Sequence, residues 1–177
     1  IPGDGEPAWQ RTRFWIHWPP DEDPAWHVDA LLAHRVIGPV LERNRASIAL
    51  WRFHRRAARD GAGHSLSFLV FAPPARGAAL CRGLREDRRV TALIRAGVLD
   101  KVACSSPPGT RAALVEGTSD PGWPSEIQRT WPWYIQGVSE MWLRLIDQLA
   151  DPGGDGTGPA AVEDLVEHYR ALHEELT

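Results

Sequence analysis

The stretch Trp51–Phe68, WRFHRRAARDGAGHSLSF, decides how the chain folds. Apolar and polar side chains alternate on both sides of a central AARDGAG segment, which contains Asp-Gly and a further glycine. Such alternation is typical of strands with one buried face, and Asp-Gly is a strong turn signal. The stretch therefore predicts a β-hairpin. Its two faces carry Trp51, Phe53 and Phe68 on one side and Arg52, His54 and Ser67 on the other.

Working outward from the hairpin, the same alternation appears in RTRFWIHW at 11–18 and predicts a strand before it. An amphipathic helix is predicted between the two, over 23–44, with a kink or an end at Pro39. After the hairpin, a second amphipathic helix over 75–97 leads to a short strand at 98–104. The order βαββαβ predicts an α+β fold, a ferredoxin-like antiparallel sheet with additional C-terminal helices.

Composition places the chain among ordinary globular proteins. It has 177 residues, of which 43% are hydrophobic and 24% charged, and it contains no apolar run of membrane-spanning length. The formal net charge is −3, from 20 basic and 23 acidic residues. That balance gives no overall field for nucleic acid, so we expect no nucleic-acid partner and only a local basic patch.

The chain divides into four segments. Residues 1–10 form an N-terminal tether, and 11–150 hold the ferredoxin-like domain together with a tryptophan-rich helix. A glycine-rich flexible loop at 151–158 precedes a C-terminal helix at 159–177. The tryptophan-rich helix, Trp131–Ala150, must bury an apolar side, and part of the polar sheet face is the obvious surface for it to cover. We therefore expect Trp15, His17, Arg52 and His54 to share one sheet face beneath or beside this helix.

That arrangement makes the polar sheet face the candidate ligand-binding site. Under a helix, its cationic and aromatic side chains would line a partly closed pocket, and concave sites with a few converging polar groups bind ligands. The alternative is a solvated outer face with arginine stems packed beneath the added helix. The candidate ligand-binding residues are Trp15, His17, Arg52, His54, Arg56 and His64.

The sequence lacks the residue patterns of several common metal, catalytic and phosphate-binding sites. The histidine spacings, such as His27 with His34, match no zinc site, and no cofactor is implied. Ser65 follows His64 directly, but neighbouring strand residues point to opposite faces, so the two cannot act as nucleophile and base. The short GAG of the hairpin turn does not precede a helix and is no phosphate loop.

Cys81 and Cys104 are the two cysteines of the chain. In the predicted topology the second helix starts at the sheet end to which the fourth strand returns, so the two thiols come together. We expect a disulfide, which would suit an oxidising compartment. Two unpaired buried thiols in a cytosolic chain are the alternative.

Two resemblances bear on function. The segments ALWRFHRR and GHSLSFLVF, with SEMWL late in the chain, resemble the elimination domains of lantibiotic dehydratases and related thiopeptide-type bacteriocin biosynthesis proteins. Ser65 and Ser67 stand where arginines recur in that family. HRRAARDGAGHSLSF and TSDPGWPSEIQ are similar to motifs of small exported bacterial proteins of the lipoprotein type, which implies a compartment and no particular activity.

The sequence favours an exported binding module, periplasmic or a lipoprotein, that takes a small molecule or peptide; a cytoplasmic location is the alternative. A lipidated N-terminus outside this chain would provide a membrane tether. The competing functions are a peptide-modifying, elimination-type enzyme and a dimeric α+β barrel enzyme. The barrel would require a homodimer whose sheets pack face to face.

Overall fold

A computed structural model describes residues 5–106, 120–150 and 159–175. Its four-stranded sheet has the order β2-β3-β1-β4, and every neighbouring pair is antiparallel. This order and the helical crossovers confirm the ferredoxin-like α+β fold. The strands are β1 Ala8–Ile16, β2 Leu50–Ala58, β3 Gly63–Ala72 and β4 Leu99–Ser105. Because β1 begins at Ala8, the last residues of the expected tether belong to the sheet. The expected loop at 151–158 lies outside the described residues.

Helical segments fill both crossovers and extend the chain beyond β4. The first crossover is continuous but changes its winding at Leu32–Ile37, which is π-helical. Pro39 lies two residues after this segment and has no N–H to donate to the carbonyl of Arg35. The wider π-helical winding relieves the clash that its ring would cause in a regular turn. The helices are α1 Trp26–Leu31, α2 Gly38–Asn44, α3 Pro74–Arg85, α4 Arg88–Arg95, α5 Ser125–Leu149 and α6 Pro159–Glu175.

The second crossover is two helices and not one. The break falls at Glu86 and Asp87, and the Asp87 carboxylate accepts a hydrogen bond from the backbone N–H of Arg89 at 2.7 Å. This is an ordinary N-cap, which starts α4 in a new direction. Gly97, with φ of 72°, then ends α4 in the left-handed conformation that suits glycine.

The main core lies between the helices and the face of the sheet that we call the inner face. Strand register brings Phe53 opposite Phe68 and Phe14 opposite Leu66 on that face, and all four are buried. The helix α6 closes the core from the far side, where Tyr169 is 1% exposed. The alternation in the hairpin thus decides which residues form the core.

Helix α5 lies beside the sheet, along its β2 edge, instead of over the polar face. Gln136 Oε1 accepts the backbone N–H of Trp51, and Ser139 Oγ accepts that of Phe53, both at 3.0 Å. These N–H groups point away from β3 and would otherwise be unpaired edge donors. Helix α5 therefore lies beside the polar face, which is one of the two expected positions, and it protects the free edge of the sheet.

A disulfide joins Cys81 of α3 to Cys104 of β4, with their Cα atoms 6.1 Å apart. Cys104 stands opposite Thr12, at the end of the sheet where β3 passes into α3. The topology expected from the sequence therefore holds for this pair.

Candidate binding face

The side of the sheet away from the crossover helices, here called the outer face, gathers most of the candidate residues. In register, Trp15 is opposite Ser65, which is opposite Arg56; Ser67 is opposite both Arg13 and His54. The register confirms that Trp15, Arg52 and His54 share one face. The outer face also holds a small buried apolar cluster, Trp9, Leu50, Leu69 and Phe71. The polar and aromatic side chains beside this cluster include Arg11, Arg13, Trp15, Arg52, His54, Arg56, Ser65 and Ser67.

Two candidate residues lie elsewhere. His17 follows the end of β1, is largely exposed, and places its Nδ1 3.0 Å from a carboxylate oxygen of Asp100. His64 stands opposite Ile16, on the inner face, and is buried. The structure therefore does not bring His64 to the outer face. The reason is parity, since Ser65 faces outward and its neighbour must face inward.

His64 belongs to a buried cluster on the inner side, which we call the inner ion cluster: Asp29, Arg55 and His64. Arg55 Nε donates to Asp29 Oδ2 at 2.9 Å, and His64 Nε2 lies 3.3 Å from Asp29 Oδ1. Both Asp29 and His64 have fully buried side chains. The Arg55 guanidinium also stacks on Trp26 and Trp142, 4.8 Å from each ring centre. The cluster thus ties α1 and α5 to the hairpin.

Asp29 is absent from the residues predicted from the sequence. Its only signal is a carboxylate between Val28 and Ala30, inside the apolar stripe of the first helix. A charge at a core position is costly to bury unless it is paired, so it indicates a buried cation elsewhere in the chain. Only the tertiary structure identifies that cation as Arg55.

On the outer face, the cations contact hydroxyls and an indole. Arg13 Nε donates to Ser67 Oγ at 3.3 Å, and its guanidinium lies 5.4 Å from the ring centre of Trp15. Lys101 Nζ lies 4.5 Å from the same ring. Trp15 is therefore a planar surface in contact with two positive side chains.

Crowding of positive charge is visible in Arg13. Partial burial lowers the pKa of its guanidinium, and the neighbouring charges of Arg11 and Arg56 lower that pKa further. Arg56 itself forms an exposed ion pair with Asp60, which lies four residues later in the turn. An anion placed over Arg13 would reduce the repulsion among these three arginines.

A groove of about 770 Å³ runs between α5 and the β2 edge, beside the outer face. Arg52 and His54 form its sheet wall, as expected for a pocket next to the tryptophan-rich helix. Its other wall is mostly apolar and comes from α5. The α5 residues are Trp131, Ile135, Val138, Ser139, Met141, Trp142, Arg144, Leu145 and Gln148.

Another polar cluster lies where α6 meets the π-helical segment. His34 Nδ1 is hydrogen-bonded to the Tyr169 hydroxyl, and its Nε2 lies 3.3 Å from Asp147. Burial lowers the pKa of His34 and raises that of Tyr169. Both shifts favour neutral groups, so this chain of hydrogen bonds joins α6, the first crossover and α5 without exposing a reactive group.

Within residues 5–106, 120–150 and 159–175, no group of three or more His, Cys, Asp or Glu side chains could hold a metal ion. No described helix is both long enough and apolar enough to cross a bilayer.

Comparison with known proteins identifies no family for this chain. No protein-family model matches the chain, and no curated protein matches it. A de novo designed protein with a ferredoxin fold, solved by solution NMR, is similar in structure with a TM-score of 0.36 and 11% identity. The likeness covers 68% of this chain and 96% of the designed one.

Proposed function

We propose that the chain is an exported binding module whose outer sheet face binds an extended ligand with several acidic groups, such as an acidic peptide. The observation that carries the proposal is the cluster of Arg11, Arg13 and Arg56 on one sheet face, where partial burial first, and then the charges of Arg11 and Arg56, lower the pKa of Arg13. A bound carboxylate would relieve that repulsion and would gain charge-assisted hydrogen bonds to guanidinium groups.

The spread of the cations favours an extended ligand over a single small anion. Lys101 is on β4, Arg13 on β1 and Arg56 on β2. Adjacent strands are about 4.8 Å apart, so the backbones of β1 and β2, with β3 between them, are separated by roughly 10 Å. Cations spread over three strands match successive acidic side chains of a peptide better than they match a single carboxylate. Trp15 would provide a flat surface for an apolar or aromatic part of that peptide.

Export is part of the proposal and is supported by the Cys81–Cys104 disulfide, since such links persist in oxidising compartments. Titration of thiols in the unfolded, unreduced protein from its native host would detect no reactive thiol. Two reactive thiols would remove this support.

A dimeric α+β barrel is not favoured. Such a barrel would press the outer faces of two copies together, and the arginines of one would meet those of the other. A peptide-modifying enzyme would use the same face, but the buried Ser65 and Ser67 there require no reaction to explain them, because Ser67 supports Arg13.

Calorimetric titration with a glutamate-rich peptide tests the function. We expect binding that weakens as salt increases, and roughly a 10-fold or greater loss of affinity in the double variant Arg13→Ala/Arg56→Ala. The control variant is Arg82→Ala/Arg95→Ala, which removes the same charge from exposed positions of α3 and α4. Equal losses in both variants would show a non-specific charge effect and contradict the proposal. Tighter binding of a single-stranded oligonucleotide than of the peptide would also contradict it.

A further inference from the structure

Helix α5 carries a regular apolar stripe on the side that its own core does not use. The stripe repeats at alternating intervals of four and three residues, which is the spacing of a coiled-coil seam. We call it the α5 seam. Its members are Ile127, Trp131, Tyr134, Val138, Met141 and Leu145.

The seam is exposed along most of its length. Tyr134 is 64% exposed and Met141 68%, while Ile127 and Leu145 are 49% and 41% exposed. The opposite side of the same helix is anchored in the core by Leu143 and Ile146, which are buried. The helix is therefore apolar on two sides, and the described residues cover only one of them.

We propose that the α5 seam is a homodimer interface in which α5 of one copy packs antiparallel against α5 of a second. In this alignment Tyr134 of one copy lies against Val138 of the other, so a large side chain meets a small one. Trp131 then meets Met141, whose flexible chain adapts to an aromatic ring. Antiparallel pairing also opposes the two helix dipoles favourably.

The exposed area of the α5 seam is close to the area that a dimer interface needs. The seam residues expose roughly 600 Å² of surface per copy, close to the ~800 Å² that each partner contributes to a standard interface. Gly137 flanks the middle of the seam, and a Cβ atom there would meet nothing within 4 Å. Its missing side chain lets the two helices approach closely at the centre of the pairing.

The charges beside the seam favour another protein surface over a membrane surface. Interfacial membrane helices carry mostly lysine and arginine on their polar side. The polar positions of α5 are mixed, with Arg129 and Arg144 alongside Glu126, Glu140 and Asp147. Glu140 forms ion pairs with Arg45 and Arg144 inside one copy, so these charges are already balanced.

Sedimentation velocity of the full chain over a range of concentrations tests the proposal. We expect a reversible dimer, and we expect Met141→Glu to weaken it roughly 30-fold or more by placing a charge in the centre of the seam. The control is Trp133→Glu, since Trp133 is 58% exposed but lies outside the seam. A wild-type chain that stays monomeric at every concentration, or equal weakening in both variants, would overturn the proposal.

Cross-linking tests the orientation. Mixing the single variants Tyr134→Cys and Val138→Cys under mild oxidation is expected to give mainly the mixed, disulfide-linked dimer. A predominance of 134–134 and 138–138 products would indicate parallel pairing and would overturn the antiparallel arrangement.

A monomer that floats with anionic phospholipid vesicles would overturn the dimer and assign the seam to a membrane surface. Met141 lines the groove next to Arg52 and His54, whereas Arg13 and Arg56 lie outside both the groove and the seam. The Arg13→Ala/Arg56→Ala variant should therefore dimerise like the parent, and this separates failure of this inference from failure of the proposed function.

Discussion

The two faces of the sheet surround their basic side chains with different partners. On the inner face, Arg55 and His64 share the fully buried carboxylate of Asp29. On the outer face, Arg13 rests on Ser67 and Trp15, and its neighbours are further arginines. The inner face thus holds a guanidinium and an imidazole that share one buried carboxylate, whereas on the outer face Arg13 has only a hydroxyl, an indole and further arginines around it.

This difference in partners indicates which face stabilises the fold and which one is suited to bind a ligand. A buried charge must be paired, because the cost of leaving it unpaired would unfold the domain. A partly exposed cluster of like charge costs little in water and gains energy when an anion arrives. The inner ion cluster is therefore interpreted as a structural element, and the outer face as the place for a ligand.

The largest expected effect is from breaking the inner ion cluster. Asp29→Ala leaves Arg55 and His64 without their carboxylate and should lower the free energy of unfolding by about 3–5 kcal/mol, measured by urea denaturation. The matched control is Asp60→Ala, which removes the carboxylate of an exposed ion pair with Arg56 and should cost no more than about 1 kcal/mol. Similar effects in the two variants would mean that the faces do not differ as described.

Removing the disulfide should have the next largest effect. The double variant Cys81→Ser/Cys104→Ser loses a link that spans 23 positions and should be less stable by roughly 3 kcal/mol. Cys104 stands opposite Thr12 and shares its inner face, whereas the neighbouring Arg11 and Arg13 lie on the outer face. The variant that is still folded should therefore bind the acidic peptide as tightly as the parent. Weaker peptide binding would mean that the disulfide also supports the outer face, contrary to this prediction.

The pH dependence of stability tests how the fold affects the titration of its partly buried histidines. Burial, followed by the charges of Arg170 and His173, lowers the pKa of His27 from 6.5 to about 4. Between these two values the unfolded chain binds more protons than the folded one, so the free energy of unfolding should fall as pH drops from about 6.5 towards 4. Allowing for partial exposure, the loss is about 2 kcal/mol. His34, whose pKa is also lowered, contributes with the same sign.

The variant His27→Gln provides the control for this titration. Glutamine does not titrate in this range, so a plot of unfolding free energy against pH should be flatter for the variant than for the parent. Parallel plots would assign the acid sensitivity to other groups.

The smallest effect is expected on the outer face. Arg13→Ala removes a guanidinium that is repelled by Arg11 and Arg56, and the free energy of unfolding should change by no more than about 0.5 kcal/mol, with a gain as readily as a loss. Thermal denaturation measures this change. A loss of several kcal/mol would make Arg13 a structural residue and the outer face a second structural cluster.

Much of the fold followed from local pattern. Alternation in the hairpin and in β1 assigned each strand residue to one of two faces, because side chains in a strand repeat every two residues. The grouping of Trp15, Arg52 and His54 needed only that rule. The pairing of Cys81 with Cys104 needed the connection order, which sets the sheet end where each element starts.

What the sequence could not determine depends on contacts between distant segments. It showed that α5 must bury an apolar side, but unpaired N–H groups of the β2 edge, and not the polar face, decided where that side went. Strand parity turns His64 inward, but only the tertiary structure identifies its partner there as Asp29, 35 positions earlier. Periodicity reports which side of an element is apolar, because that is a property of neighbours in the chain. Which partner covers that side is decided by three-dimensional packing alone.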